Sequence, residues 1–318
     1  MAWSIAHSGQ LDLTAPSLWN AGLRNRIRRN VQLQLPFWRE PTSTLWLRER
    51  DGIVSVRMLT LFGNAFSPFS RKVQLVLEYK GVDYEMVDGL SHANRDRLAE
   101  VNQRLEVPAI NHDGLIVVNS ADIVAYLERV FPDRPLYPSD HESWVKARAW
   151  ERCADTVIDP ILVDISYWVW AIREDKMPAG LLDAARTDLA AIYEALDQQL
   201  EGRDWVCGEL SIADIALFPH LSGTRMLQVP FDQSRYGNLF AWYKRCRAAQ
   251  IFADDLARTK AYLAEPASMD IEREKIFWRG DRIEWILARG HHEWFVNEIE
   301  EGRVLWPKLG IPESTKKS

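Results

Sequence analysis

The stretch LTLFGNAFSPFSRKVQLVLEYKG, residues 59–81, decides the fold of this chain. Its first five residues are mostly apolar and end on a glycine, a pattern that predicts a short buried strand. Ser67 and Pro68 then favour a helix start, because serine caps free backbone N–H groups and proline lacks the N–H that a first turn leaves unpaired. Apolar residues at helical spacing continue to Gly81, a common helix terminator. The stretch therefore predicts a strand, a loop and a helix.

The segments that follow continue in the order of a thioredoxin-like fold. VDYEMVDGL, residues 82–90, alternates as a strand does. After a polar connector, residues 107–110 and 115–119 form two short apolar runs around an Asp-Gly pair, which favours a hairpin turn. A helix is predicted to begin at Ser120. The resulting order is strand, helix, strand, hairpin and helix, which is typical of thioredoxin-like domains.

The second half of the chain reads as all-helical. Residues 131–140 hold three prolines within seven positions, which indicates a linker. Beyond it, apolar residues at three- and four-residue spacing predict five helices, at 142–175, 181–201, 211–227, 236–247 and 251–263. Pro160 is expected to kink the first of these helices. Ser211 and Asp214 are predicted to form a capping box at the start of the third.

Three short motifs, taken together, carry a resemblance to a known family. They are Ser67-Pro68-Phe69 at the start of the first helix, Val107-Pro108 before an apolar strand, and Asn119-Ser120 before a helix. At these spacings the chain resembles a soluble, serine-type glutathione S-transferase over about residues 58–263. The resemblance implies a thioredoxin-like glutathione-binding domain at 58–135 and an all-α substrate domain at 140–264. N- and C-terminal extensions at 1–57 and 265–318 lie outside it.

The resemblance also implies roles for five residues. Ser67 would be catalytic, donating a hydrogen bond to the glutathione sulfur, while the partial positive charge of the helix N-terminus favours the thiolate. Val107 and Pro108 would be joined by a cis peptide bond that lets the main chain of Val107 pair with the cysteinyl part of glutathione. Asn119 and Ser120 would bind the γ-glutamyl carboxylate at a helix start. Simple helix caps and a strand-starting proline are the structural alternatives.

Two residues depart from the family pattern. Asn119 is shorter than the Glu or Gln that relatives commonly carry, which affects the expected contact with the glutathione amino group. Glu106 would repel the glycyl carboxylate. Compensating positive charge could come from Arg71, Lys72, His92 or Arg104, and the sequence does not choose among them.

The function predicted from these features is that of a glutathione transferase. The enzyme would add the activated thiol of glutathione, its co-substrate, to a small hydrophobic electrophile, by conjugation or by related dehalogenation or ether cleavage. The electrophile pocket is expected between the first helix and the kinked helix, with Tyr167, Trp168 and Trp170 as aromatic candidates. The family implies a homodimer acting in detoxification. The alternative is a non-catalytic binding or assembly protein with the same fold.

Composition limits the other possibilities. A net charge of −6 gives no reason to bind nucleic acid, and no apolar run reaches the length of a membrane span. The scattered Cys153, Cys207 and Cys246 do not form a disulfide framework, which favours a reducing, cytoplasmic location. None of them lies where a thioredoxin-like fold places its redox thiol. His291 and His292 lack metal-ligand spacing, so no metal is expected.

The two extensions carry their own expectations. Residues 1–57 are rich in arginine, and 17–35 could form a basic amphipathic helix. Three interpretations stay open for this extension: translated leader before a true start at Met58, a surface arm, or a targeting segment. The tail, 265–318, holds four tryptophans, Trp278, Trp285, Trp294 and Trp306. Because exposed indoles promote aggregation, the tail is predicted to pack on the helical domain or on a partner subunit, with Gly290 and Gly302 ending two short helices.

Overall fold

The computed structural model describes residues 44–49, 52–57, 59–170, 176–265, 276–277 and 280–305. By its internal contacts the chain divides into one unit of residues 1–59 and another of residues 60–318. In the first unit, strands β1 (Thr44–Glu49) and β2 (Gly52–Arg57) form an antiparallel hairpin. An Asp-Gly pair lies where β2 begins, the same signal that predicted the hairpin at 113–114. The amphipathic helix expected at 17–35 lies outside the described residues.

A four-stranded sheet forms the centre of the predicted thioredoxin-like domain. Its strands are β3 (Leu59–Gly63), β4 (Tyr84–Asp88), β5 (Ala109–His112) and β6 (Leu115–Val118). They lie in the order β4-β3-β5-β6, and β5 and β6 form the predicted antiparallel hairpin. Every residue of β3 is buried. The thioredoxin-like order predicted from the sequence is therefore confirmed.

Three α-helices accompany this sheet: α1 (Pro68–Lys80), α2 (Arg95–Val101) and α3 (Ser120–Val130). The segment after β4 was predicted only as a polar connector. In the structure it contains a short 3₁₀ turn and α2. In α2 only Leu98 is buried, where it packs with Phe62 and Val87. One buried side chain in seven residues gives too weak a periodicity for a helix prediction.

The helical part contains six α-helices among the described residues. They are α4 (His141–Cys153), α5 (Asp159–Val169), α6 (Leu181–Gln199), α7 (Ile212–Gly223), α8 (Gly237–Ala248) and α9 (Gln250–Ala264). The first predicted helix is divided into α4 and α5 by a π-helical turn at Ala154–Ile158. Pro160 is the second residue of α5, which continues directly from the π turn, so its missing N–H removes one helical hydrogen bond there. The interruption expected from Pro160 is thus a π turn directly before α5.

The predicted capping box is present at the start of α7. The Asp214 side chain is fully buried and accepts hydrogen bonds from the backbone N–H groups of Ser211 and Val206, both at 3.0 Å. It also accepts one from the indole N–H of Trp242 at 2.8 Å. Burial raises the pKa of Asp214, and these hydrogen bonds oppose the shift. Asp214 therefore joins α7 and α8 to the loop before α7, which is more than a local cap does.

Replacing Asp214 with alanine is expected to destabilise the fold by about 3 kcal/mol or more, because four buried donor groups, on Val206, Ser211 and Trp242, lose their acceptor. Ser211→Ala should cost only about 1 kcal/mol, as for other lost helix caps. Urea unfolding followed by circular dichroism measures both values. Equal losses for the two variants would show that Asp214 acts only as a cap.

The C-terminal tail packs on the helical part, as expected. It contains α10 (Gly280–Ala288), α11 (His292–Glu300) and a pair of two-residue parallel strands, β7 (Ile276–Phe277) and β8 (Val304–Leu305). Gly290 and Gly302 have positive φ values of 85° and 68° two residues after the last residue of each helix, which confirms their predicted role. The Trp294 ring packs against Trp168 of α5 at 5.3 Å between centroids. Trp278 and Trp306 lie outside the described residues.

Neither a membrane-spanning helix nor a metal-binding cluster occurs among the residues that the structure describes. Within these residues, no helix has the length and apolarity needed to cross a bilayer. No group of three or more His, Cys, Asp or Glu side chains in the described ranges could hold a metal ion. The division of residues 58–264 into two domains, with the linker at 131–140, stays a prediction.

Candidate active site

A cleft of about 1350 Å³ brings together most of the residues predicted for glutathione binding. Its walls come from α1, the loop before β5, the start of α3, α4, the π turn and α10. Val107, Pro108, Asn119 and Ser120 all line it. These four residues come from two separate parts of the chain. The predicted convergence of the Val-Pro bond and the α3 start on one cleft therefore appears in the structure.

The loop before β5 has a fixed conformation. The Val107–Pro108 peptide bond is cis, as predicted. Asn102 is buried, and its side-chain amide donates to the backbone carbonyl of Glu106 at 2.8 Å. Its side-chain oxygen accepts from the backbone N–H of Arg104 at 3.1 Å. Asn102 thus holds both ends of the turn that leads into the cis bond, and it also lines the cleft.

The start of α3 forms another part of the cleft wall. Asn119 precedes the helix with φ 71° and ψ 123°, a positive-φ conformation outside the left-handed helical region that non-glycine residues rarely adopt. Its side-chain oxygen accepts from the backbone N–H of Ala121 at 3.3 Å. Ser120 is buried as the first residue of the helix. Because unpaired N–H groups and the helix dipole meet at such a start, this corner of the cleft suits a carboxylate.

Ser67 lies at the start of α1 but is not among the residues that line the cleft. It is half-buried, and its hydroxyl oxygen accepts from the backbone N–H of Ser70 at 3.4 Å. Phe69, two positions further along, does line the cleft. The structure therefore groups four of the five predicted residues and places the fifth on the same helical turn as a cleft residue.

Asn64 organises the loop before Ser67, and the sequence analysis missed it. Its buried side-chain oxygen accepts from the backbone N–H groups of Phe66 at 2.9 Å and Ser67 at 3.3 Å. Its amide donates to Asp88 at 2.9 Å and to the Tyr262 hydroxyl at 2.7 Å. Asparagine often closes such turns, so its position between a strand and a capped helix was the available signal. Through these bonds Asn64 fixes the approach to α1.

Two of the four cations considered for the glycyl carboxylate are excluded by burial. The Arg71 guanidinium pairs with Asp255 of α9 at 2.6 Å, and both side chains are almost fully buried. The Lys72 ammonium is fully buried and pairs with Asp155 of the π turn at 2.6 Å. Neither cation lines the cleft. Both instead connect α1 to the helical part.

Arg104 is the one of the four candidates that lines the cleft. His92 lies in the 3₁₀ turn and is not among the lining residues. Arg104 donates to Glu106 with two nitrogen atoms, at 2.9 and 3.2 Å. The negative charge of Glu106, expected to repel glutathione, therefore has a cation beside it.

The structure places the aromatic candidates for the electrophile pocket away from the cleft lining. Tyr167, Trp168 and Trp170 do not line the cleft. Trp168 is buried against Trp294, and Trp170 packs against Phe66 with ring centroids 4.9 Å apart. Among the described residues, the aromatic side chains that line the cleft are Phe69 of α1 and Trp285 of α10. The spacing of the aromatic residues along α5 could not show which side of this helix the C-terminal tail covers.

The surroundings of the three cysteines disfavour their thiolate forms. All three are free. Burial raises the pKa of Cys153 to about 11 and also raises the pKa values of Cys207 and Cys246. Because the thiolate is the nucleophilic form, burial disfavours nucleophilic reactivity at all three cysteines.

Comparison with known proteins identifies the family. Residues 61–135 match the model of the glutathione S-transferase N-terminal domain, and residues 179–245 match that of the C-terminal domain. A probable maleylacetoacetate isomerase of Caenorhabditis elegans is 37% identical over 155 residues, which cover 48% of this chain and 72% of the relative. The chain belongs to the glutathione S-transferase family. The relatives that match it include glutathione S-transferases, which supports the same enzyme class for this chain.

Further relatives agree with this assignment. A glutathione S-transferase of Arabidopsis thaliana, U7, is 26% identical over 53% of this chain and 70% of its own length. A solved glutathione S-transferase of Methylobacillus flagellatus with glutathione bound has a TM-score of 0.55 at 27% identity, covering 62% of this chain and 98% of that one. A β-etherase from Sphingobium shares the fold, with a TM-score of 0.56 at 23% identity over 63% of this chain and 99% of that one.

This glutathione S-transferase carries a tail that the family models do not include. Both matched regions lie between residues 61 and 245. α10 and α11 lie beyond them, yet α10 lines the same cleft as Val107 and Ser120. The cleft is therefore lined both by residues inside the matched regions and by residues outside them, including those of α10.

Proposed function

We propose that this glutathione S-transferase binds glutathione in the cleft and activates its thiol through Ser67 for attack on a small hydrophobic electrophile. One observation carries the proposal: the cis Val107–Pro108 bond and the capped start of α3 line a single cleft that α1 also borders. The family supplies the expectation that glutathione is the ligand of such a cleft. No metal is needed for this chemistry.

Ser67 can assist the thiol without losing its structural role. Its oxygen accepts from Ser70 N–H, so its own hydroxyl hydrogen remains able to donate to sulfur. The partial positive charge at the start of α1 adds to the stabilisation of a thiolate. The thiol proton would pass to solvent. A new carbon–sulfur bond then forms as the leaving group departs with its electron pair, by nucleophilic catalysis aided by proximity.

The remaining residues would position the tripeptide. The main chain of Val107 would pair with the cysteinyl part in the manner of an added strand. Asn119 and Ser120, at the α3 start, would receive the γ-glutamyl carboxylate. Because the Asn119 side chain already caps Ala121, its contact with the glutathione amino group is the weakest part of this arrangement.

Several finer features belong to the proposal as well. Conjugation, dehalogenation and ether cleavage all begin with the same thiolate, and the relatives include a probable isomerase and a β-etherase. We propose conjugation as the basic activity. We also propose a homodimer acting in the cytoplasm in detoxification, as the family resemblance implies.

A two-stage experiment tests the proposal. The full chain is passed over immobilised glutathione and is then assayed with glutathione and a panel of aryl halides, alkyl halides, epoxides and aryl ethers. Retention followed by turnover of at least one class is expected. Retention without turnover would make the chain a binding or assembly protein with the same fold. Failure of both stages would remove glutathione from the account.

Glu106 offers a prediction about affinity. Replacing it with glutamine removes a negative charge from the cleft and frees the Arg104 guanidinium to attract the glycyl carboxylate. We expect glutathione to bind a few fold more tightly, because exposed charge pairs contribute up to about 1 kcal/mol. Titration calorimetry measures this change, with Glu142→Gln on the exposed start of α4 as the control. Unchanged affinity would show that the glycyl carboxylate binds elsewhere.

A further inference from the structure

The tail helix α10 presents one face to the cleft and another to the protein core. Gly280, Glu284 and Ala288, four residues apart, line the cleft together with Trp285. Such spacing places side chains on one side of a helix. Ile283 and Ile286 are buried on the other side. The amphipathic pattern of α10 therefore makes it a wall of the cleft, outside both family models.

Buried ionic contacts fix this wall to the helical part. Arg282 donates two hydrogen bonds to Asp159 of α5, at 2.9 and 3.1 Å, and the Asp159 side chain is almost fully buried. Without Arg282, Asp159 would lose the cation beside it, which is costly at a buried site. The ion pair with α5, the helix that follows the π turn, thus fixes the position of α10.

Trp285 is held in one orientation within the wall. Its indole N–H donates to Asp188 of α6 at 2.9 Å. The guanidinium of Arg289 holds the same Asp188 oxygen at 2.6 Å. Because its polar end is fixed in this way, the indole presents a stable aromatic surface to the cleft. Phe69, on the helical turn that begins at Ser67, contributes the other aromatic ring of the lining.

We infer that α10 forms the electrophile side of the cleft and that Trp285 selects aromatic electrophiles. The inference rests on the proposed function, since it concerns the second substrate of the same site. A planar aromatic group gains from contact with an oriented indole in addition to the area that it buries. A flexible alkyl group gains only the buried area. Trp285 is therefore a specificity-determining residue supplied by the tail.

The test measures binding of three probes to the full chain by titration calorimetry: glutathione, S-hexylglutathione and S-(2,4-dinitrophenyl)glutathione. Trp285→Leu is expected to weaken the dinitrophenyl conjugate about tenfold, as loss of an aromatic contact does. Affinity for glutathione should stay unchanged and affinity for the hexyl conjugate should change much less. Trp285→Phe should retain most of the affinity for the aryl conjugate.

Trp294→Leu is the matched control, because Trp294 belongs to the tail and packs on Trp168 but does not line the cleft. It should leave the binding of all three probes unchanged. Equal losses in the Trp285→Leu and Trp294→Leu variants, or equal losses for both conjugates, would overturn the inference and leave the proposed function intact. If the unaltered chain binds none of the probes, both fail. Circular dichroism verifies folding, and Trp285→Phe provides the comparison if Trp285→Leu does not fold.

Discussion

Asp255→Ala is expected to destabilise the protein by about 3–5 kcal/mol, the cost of leaving a buried charge without its partner. Arg71 donates to Asp255 through two nitrogen atoms, at 3.0, 3.2 and 2.6 Å to the two carboxylate oxygens. It also donates to the carbonyl of Pro219 and the hydroxyl of Ser222 in α7, both at 3.0 Å. Removing the carboxylate leaves the guanidinium buried among neutral acceptors.

The adjacent Asp254 provides a matched control. It is exposed and accepts from Gln250 at 2.8 Å, so Asp254→Ala should change stability by no more than about 0.5 kcal/mol. Urea unfolding monitored by circular dichroism compares the two variants. The double variant Arg71→Met/Asp255→Leu should regain much of the loss, since buried pairs can be replaced by apolar side chains of similar volume. A loss below about 1 kcal/mol for Asp255→Ala would contradict the role given to this pair.

The pair also bears on the site. Arg71 begins the second turn of α1, and its backbone N–H donates to the carbonyl of Ser67 at 3.0 Å. By anchoring α1 to α7 and α9, the pair fixes the helix start that is proposed to face the glutathione sulfur. Variants that weaken it should therefore lose activity before they unfold.

Ser67→Ala is expected to lower kcat/KM for glutathione conjugation about 100-fold, the typical loss when one preorganised donor to a developing anion is removed. The affinity for glutathione should change far less, because Ser67 does not line the cleft that would hold the rest of the tripeptide. Steady-state kinetics with an aryl halide, together with titration calorimetry, separates the two effects. If glutathione affinity and kcat/KM fell by the same factor, Ser67 would act only as a structural helix cap.

Ser70→Ala is the control for this experiment. Ser70 is buried on the same turn of α1, and its hydroxyl has no hydrogen-bond partner among the residues that the structure describes. Its removal should leave kcat/KM within about twofold of the original value, since substitutions outside such contacts have small effects. A large loss in both variants would point to the helix start as a whole.

Local signals explain what the sequence could predict. Ser67, Pro68 and Gly81 set the ends of α1 through capping and backbone preference, which act within a few residues. The hairpin at Asp113 and Gly114 follows from turn chemistry in the same way. The cis Val107–Pro108 bond came from the family resemblance, because nothing in two residues specifies an isomer.

Long-range contacts explain the rest. Arg71 and Lys72 read as free cations on an amphipathic helix, because their partners are distant in sequence. Asp255 is 184 residues from Arg71, and Asp155 is 83 residues from Lys72. The π turn lines the cleft because of the way in which α4 and α5 pack, and the local sequence does not show this packing. Trp285 was predicted to be covered, but its place in the cleft depends on the ionic contacts of α10. Tertiary packing thus decides which side chains are buried and which ion-pair partners they have, and no local sequence pattern reveals either.

The most direct test of the central claim is the ionisation of glutathione bound to the enzyme. Thiolate absorbance in the ultraviolet is followed against pH for the saturated unaltered chain and for Ser67→Ala. We predict that the bound thiol of the unaltered chain has a pKa of about 7 or lower, compared with about 8.5 for an unperturbed thiol, and that Ser67→Ala restores the higher value. A bound thiol with the same pKa in both proteins would contradict activation by Ser67.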